Sequence, residues 1–303
     1  MTHDEWNWHE RADELTAEAE IGLGWARAAM EWIATLAPAP VRQVLDVGAG
    51  PGVFTSELAR CFADAAVVAV DPSEPLLERV LARAASAGVD ARVTTVAGAL
   101  DDALDELPDA DVIWASRVLH HVPDQAATLR SLGARLRPGG VLALVEGGLP
   151  TRFLPAESGV GEPGLTERVD AAVAGEVHAR LHHDHAAGAA RPVLDWPAQL
   201  ADAGLAPSGT RSFLLDLPAP VSEQVRGWLI ARLVESRSWA GGALSAGDRD
   251  ALDRLLDAED PLGIARRPDL FLLTAVTVHT ARRLGGTVHL DAQPDELNRP
   301  SIR

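Results

Sequence analysis

Residues 45–52 read Leu45-Asp46-Val47-Gly48-Ala49-Gly50-Pro51-Gly52 (LDVGAGPG), and their reading decides the fold. The apolar run Val44–Val47 has the character of a short buried strand, and it stops at the glycines. Val53–Phe62 then has helical periodicity. Working outward, Ala65–Val70 predicts a second strand ending at Asp71, and Pro75–Ala87 a helix closed by Gly88. Arg92–Ala97 and Asp111–Ala115 (DVIWA) predict two further strands. Asp124–Leu136 predicts a helix closed by Pro138-Gly139-Gly140, and Val141–Val145 (VLALV) a fifth strand. Short apolar strands alternating with helices point to a parallel sheet covered on both faces. Right-handed crossovers make it an α/β, Rossmann-like doubly wound sheet.

The flanks are less regular. Residues 5–37 read as helix, with Trp8, Ala12, Leu15, Ala19 and Gly22–Leu23 near helical spacing and Pro38 and Pro40 ending the run. Residues 151–190 hold a glycine-rich loop and then an amphipathic helix from Leu165 to His185. Leu194–Ala203 predicts a helix, and residues 221–258 are helical, carrying Trp228 and Trp239. Thr210–Leu217 and Phe271–Thr280 alternate like strands. The expected division is a helical cap (1–37), a cofactor-binding core (38–150), a helical lid insertion (151–190) and a continuation of the core (191–217). A second lid insertion (218–268), a last core strand (269–285) and a polar tail (286–303) complete it.

Of the 303 residues, 47% are apolar, but no long run escapes charge, so no transmembrane helix is expected. The opening residues MTHDEWNWHE lack a basic region followed by an apolar one, so no secretory signal is expected either. The single cysteine, Cys61, cannot form an internal disulfide, which fits a reducing cytoplasm. With 27 basic against 44 acidic residues the net charge is −17. So acidic a surface repels phosphate backbones and anionic lipid, and neither nucleic acid nor membrane is expected as a partner. The expected partner is a small molecule, and the expected state a monomer or homodimer.

Ligands of open parallel sheets bind beyond the carboxyl ends of the strands, where strand order reverses. Gly48, Gly50 and Gly52 sit there, after the first strand, and permit a tight turn and close backbone approach to a ligand. Asp71, closing the second strand, stands where a carboxylate accepts both hydroxyls of a ribose. An adenosine-containing ligand fits. The dinucleotide fingerprint requires a further glycine where this chain has Val53, which argues against NAD.

Four segments occur in order: LDVGAGPG (45–52), VAVDPS (68–73), ASRVLHHVPD (115–124) and LRPGGVLALVE (136–146). Together, over residues 40–150, they resemble the class I S-adenosylmethionine-dependent methyltransferases, in particular the small-molecule group that includes ubiquinone-biosynthesis-like enzymes. The resemblance implies a seven-stranded sheet, mostly parallel, with Thr210–Leu217 as sixth strand and Phe271–Thr280 as an antiparallel seventh. It implies S-adenosylmethionine as cofactor, with the glycines against its methionine end and Asp46 reaching its ammonium. Asp71 would take the ribose diol, Pro72 and Ser73 would flank the adenine, and Ser116 would offer a backbone carbonyl to the ammonium. The family usually shows Gly-Asp after the third strand, whereas this chain has Gly98-Ala99-Leu100 and then Asp101 and Asp102. Either Asp101 substitutes through a shifted loop, or Ala99 and Leu100 hold the adenine by backbone and apolar contacts.

A sulfonium methyl group needs an aligned acceptor and the exclusion of water. A hydroxyl or amine acceptor must also lose a proton, and histidine titrates in the useful range. His121 and His120 are the candidates, and one of them is expected to face the acceptor. His178, His182, His183, Asp184 and His185 have spacings that can bind a metal, and equally suit a solvated helix end. No metal is expected, and His182 and Trp8 are expected to line the acceptor pocket. The expected reaction is methyl transfer to a small, mostly apolar molecule, to oxygen ahead of nitrogen or carbon. Ser116-Arg117-Val118-Leu119 stands where nucleic-acid base methyltransferases carry Asn/Asp-Pro-Pro-aromatic, which argues against that class. A cyclase or decarboxylase on the same fold, and a non-catalytic cofactor-binding protein, are the alternatives.

Overall fold

The apolar runs predicted as strands all form strands, and they join into a single sheet. The computed structural model describes residues 11–181, 195–240 and 242–285. The first half of the chain runs α1 (Ala12–Ile21), α2 (Leu23–Leu36), β1 (Gln43–Val47), α3 (Val53–Cys61), β2 (Ala66–Asp71), α4 (Glu74–Ser86), β3 (Val93–Ala97), α5 (Leu100–Ala103) and β4 (Ala110–Ser116). It continues α6 (Gln125–Arg135), β5 (Leu136–Arg152), α7 (Leu165–Leu181), α8 (Trp196–Asp202), β6 (Ala206–Leu217), α9 (Glu223–Ala240), α10 (Ala246–Leu256) and β7 (Leu272–Arg282).

The seven strands are ordered β3-β2-β1-β4-β5-β7-β6. Those from β3 to β5 are parallel, and β7 runs antiparallel to both β5 and β6. Successive side chains of a strand point to opposite faces, so a sheet covered on both sides needs apolar residues throughout. β1 shows this. Val44 joins a core with Trp25, Ala29, Met30 and Ile33 of α2 and Leu58 of α3. Its neighbour Leu45 joins a second core with Leu129 and Leu132 of α6 and Leu200 of α8. At the lower edge of the sheet, buried Asp111 accepts the Arg42 and Gln43 N–H groups at 2.7 and 2.9 Å and Arg137 Nη1 at 2.9 Å, tying β1, β4 and β5 together.

One expectation needs correction, and two helical stretches each divide in two. The stretch read as helix over residues 5–37 is two helices over its described part, broken at Gly22. The Trp25 side chain folds back over that glycine, so that a Cβ at Gly22 would lie 2.5 Å from Trp25 Nε1. Pro138-Gly139-Gly140 does not separate a helix from a strand but belongs to β5, which extends over 17 residues. The register shifts between Ala110 and Val112, and Gly140 packs so close to the carbonyls of Arg137, Ala110 and Asp111 that no side chain fits. The helical stretch 221–258 is likewise two helices, the second opened by Ser245, whose hydroxyl accepts the Asp248 N–H at 3.1 Å.

The helix expected from Leu165 to His185 is described as far as Leu181. Among the described residues no helix is long and apolar enough to cross a membrane.

Candidate active site

Strand order reverses between β1 and β4, and the glycine loop rises there. The Gly48 and Ala49 N–H groups donate to Val70 O at 2.9 and 3.0 Å, folding the loop across the end of β2. Gly48, Gly50 and Gly52 all take positive φ, at 69°, 53° and 79°. A Cβ at Gly48 would meet Val118 at 2.8 Å, and one at Gly52 would meet the Val80 backbone at 2.7 Å, so packing excludes side chains at both. Gly50 differs: nothing lies within 4 Å of where its Cβ would stand. It borders a cavity of about 310 Å³, and the open space at Gly50 belongs to that cavity. The first turn of α3 follows from Gly52 with no side-chain cap.

Asp71 fixes the loop from below. Its Oδ2 accepts the Gly50 N–H and its Oδ1 the Ser73 N–H, both at 2.9 Å. The carboxylate borders the cavity beside Pro72. Asp46 stands back from the cavity. It is 2% exposed, and Thr55 Oγ1 donates to its Oδ2 at 2.6 Å. Burial pushes its carboxyl up to about 7, against the Thr55 hydrogen bond and with the nearby Asp71 charge adding to the rise.

Ser116 lies on the opposite wall, followed by Arg117, Val118, His120 and His121. Arg117 has φ 54°, the one positive value at a non-glycine position among the described residues, and its guanidinium pairs with Glu18 of α1. Leu15, Glu18 and Ala19 of α1 close the cavity from above. Trp25 and Phe54 form an aromatic wall, edge to face at 5.4 Å, and both pack against buried Trp114.

The two histidine rings lie 4.0 Å apart, centre to centre. Both border the cavity. His120 Nδ1 also lies 3.0 and 3.1 Å from the two carboxylate oxygens of Glu146 on β5. Glu146 is 6% exposed and accepts the Leu119 N–H at 3.1 Å as well.

The structure thus gathers Gly48, Gly50, Asp71, Pro72, Ser116, His120 and His121 around one cavity. Gly52 and Asp46 support its wall. Ala99 is exposed and Leu100 is buried in the core, and neither borders the cavity. Trp8 and His182 lie outside the described residues, as do His183, Asp184, His185 and the side chains of His178, Asp101 and Asp102. Among the described residues no group of acids, histidines and cysteines is arranged to hold a metal. Sequence reasoning missed Glu146, Arg117, Trp25 and Phe54. A signal existed for Glu146, an acid directly after the apolar run of β5 and so at the ligand end of the sheet.

Residues 45–142 match the family model described as a methyltransferase domain. Over these residues the chain carries a methyltransferase domain. The chain is 35% identical, over 182 residues, to trans-aconitate 2-methyltransferase of Methylobacterium radiotolerans, covering 56% of this chain and 65% of that protein. It is 32% identical, over 116 residues, to ubiquinone biosynthesis O-methyltransferase of Xanthomonas campestris, covering 38% of this chain and 47% of that protein. The chain therefore spans about half to two thirds of the length of these relatives. Among solved structures, a putative methyltransferase from Bacillus halodurans superposes with a TM-score of 0.50 at 18% identity, covering 86% of this chain and 99% of that one. That likeness concerns the fold alone. The seven-stranded sheet of the chain, with its antiparallel β7, is the one the resemblance implied.

Proposed function

We propose that the protein is an S-adenosylmethionine-dependent methyltransferase that acts on a small organic molecule, with oxygen as the favoured acceptor atom. The observation that carries the reading is the cavity at the switch point, framed by Gly50 and Asp71 within a methyltransferase domain. The donor set suits the cofactor. Open space at Gly50 admits a ligand against bare backbone, and the Asp71 carboxylate at the end of β2 borders the same cavity, where a ribose diol would meet it. Gly48, Gly50, Asp71, Pro72 and the Ser116 carbonyl would hold it, with Asp46 behind the loop. When bound, the cofactor supplies a methyl group activated by a sulfonium.

The chain has three tasks. Trp25, Phe54 and α1 exclude water from the reacting centre. The loop and the wall from Ser116 to His121 align the acceptor. An oxygen acceptor carrying a proton must lose it, and His120 and His121 stand at the cavity. Oxygen is favoured because one relative is named an O-methyltransferase. Residues 1–37, 151–190 and 218–268 are assigned to the cap and lids, and 38–150, 191–217 and 269–285 to the core. The reading places the protein in the cytoplasm, as a monomer or homodimer with a small-molecule acceptor as its partner.

Calorimetric titration with S-adenosylmethionine tests the proposal. Wild type should bind, and Asp71→Ala should bind at least about ten-fold more weakly, since a hydrogen bond to a charged group is worth roughly 1.5–3 kcal/mol. Absence of binding by the wild type overturns the reading. Mass analysis of the product separates methyl transfer, a gain of one methyl group, from cyclisation or decarboxylation.

A further inference from the structure

β6 is the last strand of the sheet, and among the described residues no strand pairs with its outer edge. We propose that this edge joins a second copy of the chain about a two-fold axis, β6 to β6 and antiparallel, with Leu214 on the axis and facing Leu214 of the second copy. The edge lies at the end of the sheet, away from the cavity between β1 and β4, so the homodimer stands or falls independently of the methyltransferase reading.

A sheet edge presents a row of unpaired N–H and C=O groups, and a long open edge is a template for another strand. β6 runs for 12 residues, about twice the usual strand length. Thr210, Arg211, Ser212, Leu214 and Asp216 along it are exposed. Its one proline, Pro207, lies near its start, so residues 211–217 are free of the residue that blocks pairing.

The register identifies an unfinished apolar row. Leu149 of β5 and Leu214 of β6 both stand opposite Ala275 of β7, so the three side chains lie in line across one face of the sheet. Ala275 is buried between them, yet Leu149 is 63% and Leu214 60% exposed. The row stops at the edge on an open leucine.

Symmetry then selects the partner and the register. Most homo-oligomers are two-fold dimers in which one patch meets itself. Opposite residues of an antiparallel pair must share a face, so the axis passes through a residue rather than between two. Between Arg211 and Asp216 there are six such positions. An axis at Arg211 sets two guanidinium groups against each other, and one at Asp216 two carboxylates, and both are unfavourable. At Ser212, Phe213 or Leu215 the axis leaves Leu214 opposite Thr210, Ser212 or Asp216. The axis at Leu214 alone gives this side chain a large apolar partner. The row then runs unbroken through Leu149, Ala275 and Leu214 into the same three residues of the second copy. The same axis sets the Ser212 hydroxyl opposite the Asp216 carboxylate, and Phe213 opposite Leu215, with no like charges facing.

The test uses the full chain. In sedimentation velocity, wild type should pass from monomer to dimer at about micromolar concentration. It should do so more readily at physiological than at low salt, because each copy carries a net charge of −17. Leu214→Asp should raise the dissociation constant by at least about 100-fold, since two leucines leave the contact together and two like charges meet. Leu214 is exposed in the single chain, so this variant should fold, which circular dichroism checks. Cross-linking reads the register without it. In a Cys61→Ala background, Leu214→Cys should give a disulfide-linked dimer on mild oxidation, because opposite Cα atoms of paired strands lie about 4.5–5.5 Å apart, within disulfide reach. Ser212→Cys alone should not link, but should link to Asp216→Cys when the two variants are mixed. Hydrogen exchange should protect the amides of residues 211–217 increasingly as concentration rises. A wild type that stays monomeric up to about 1 mM overturns the proposal. So does a dimer indifferent to Leu214→Asp or loosened by salt, or a link formed by Ser212→Cys alone and not by Leu214→Cys. Amides protected equally at every concentration would mean that another part of the chain covers the edge, which overturns it as well.

Discussion

Burial holds the Asp46 carboxyl at about 7, so its charge state changes where most enzymes operate. The sign follows from proton binding. An unfolded aspartate ionises near pH 4, whereas the folded one stays protonated up to about 7. Between these limits the folded state binds the extra proton, so stability falls as pH rises and levels off above 7. The size of the loss is on the order of 1–4 kcal/mol. Asp46→Asn keeps an oxygen for Thr55 and removes the ionisation. Urea unfolding of ligand-free protein should therefore show wild type losing stability from pH 5 to pH 8 and Asp46→Asn losing much less. Equal slopes would show that Asp46 ionises freely in the fold. The residues also show what a sequence conceals. Asp71 is legible because a carboxylate at the end of a second strand has one spatial meaning in this topology. The His120–Glu146 pair is not, since it joins positions 26 residues apart through a strand register that only the fold supplies.

At the scale of elements, burial on both faces makes β1, β2, β4 and the start of β5 legible as continuous apolar runs, while β6 and β7 are legible by alternation. The remainder of β5 could not be read from Glu146-Gly147-Gly148-Leu149-Pro150-Thr151-Arg152, which has neither apolar run nor alternation. β7 makes it a strand by pairing through Gly148, Leu149 and Arg152. The break at Gly22 was hidden for a similar reason, because Trp25 closes over that glycine only after the chain has turned.

α1 is the element most dependent on polar contacts. Ala12 is its one buried residue, and its outward links are Glu18 to Arg117, Glu20 to Arg83 at 2.8 Å, Asp13 to Arg79 and Glu20 to Gln224. The Arg11 side chain, just before α1, reaches Glu235 of α9. Exposed pairs of this kind are worth about 0–1 kcal/mol each and weaken with salt. Amide exchange in α1 should therefore quicken several-fold at high salt, with β1 and β4 unaffected, and Glu18→Ala should reproduce the effect at low salt. Exchange indifferent to both changes would mean that apolar contacts hold the helix.

Across the whole molecule, charge acts in the opposite direction. A net charge of −17 repels itself in the compact state, and added salt screens that repulsion. The midpoint of thermal unfolding should therefore rise from low to physiological salt under the same conditions that loosen α1. A midpoint that falls would mean that the ion pairs outweigh the net charge. The parallel part of the sheet, covered on both faces, and the place of the cavity beyond its strand ends follow from the alternation of strands and helices. The cavity's roof did not follow, because α1 and Arg117 meet through side chains that stand 99 residues apart in the chain.

The aromatic wall has an optical consequence. The chain holds eight tryptophans and no tyrosine, so its near-ultraviolet emission comes from indole alone. Trp25 borders the cavity and stacks on Trp114 at 6.3 Å, nearly parallel at 16°. A molecule entering the cavity changes the surroundings of an indole already coupled to a second one. Ligand entry can thus be followed as a change in intrinsic fluorescence, without a label and before any acceptor has been identified.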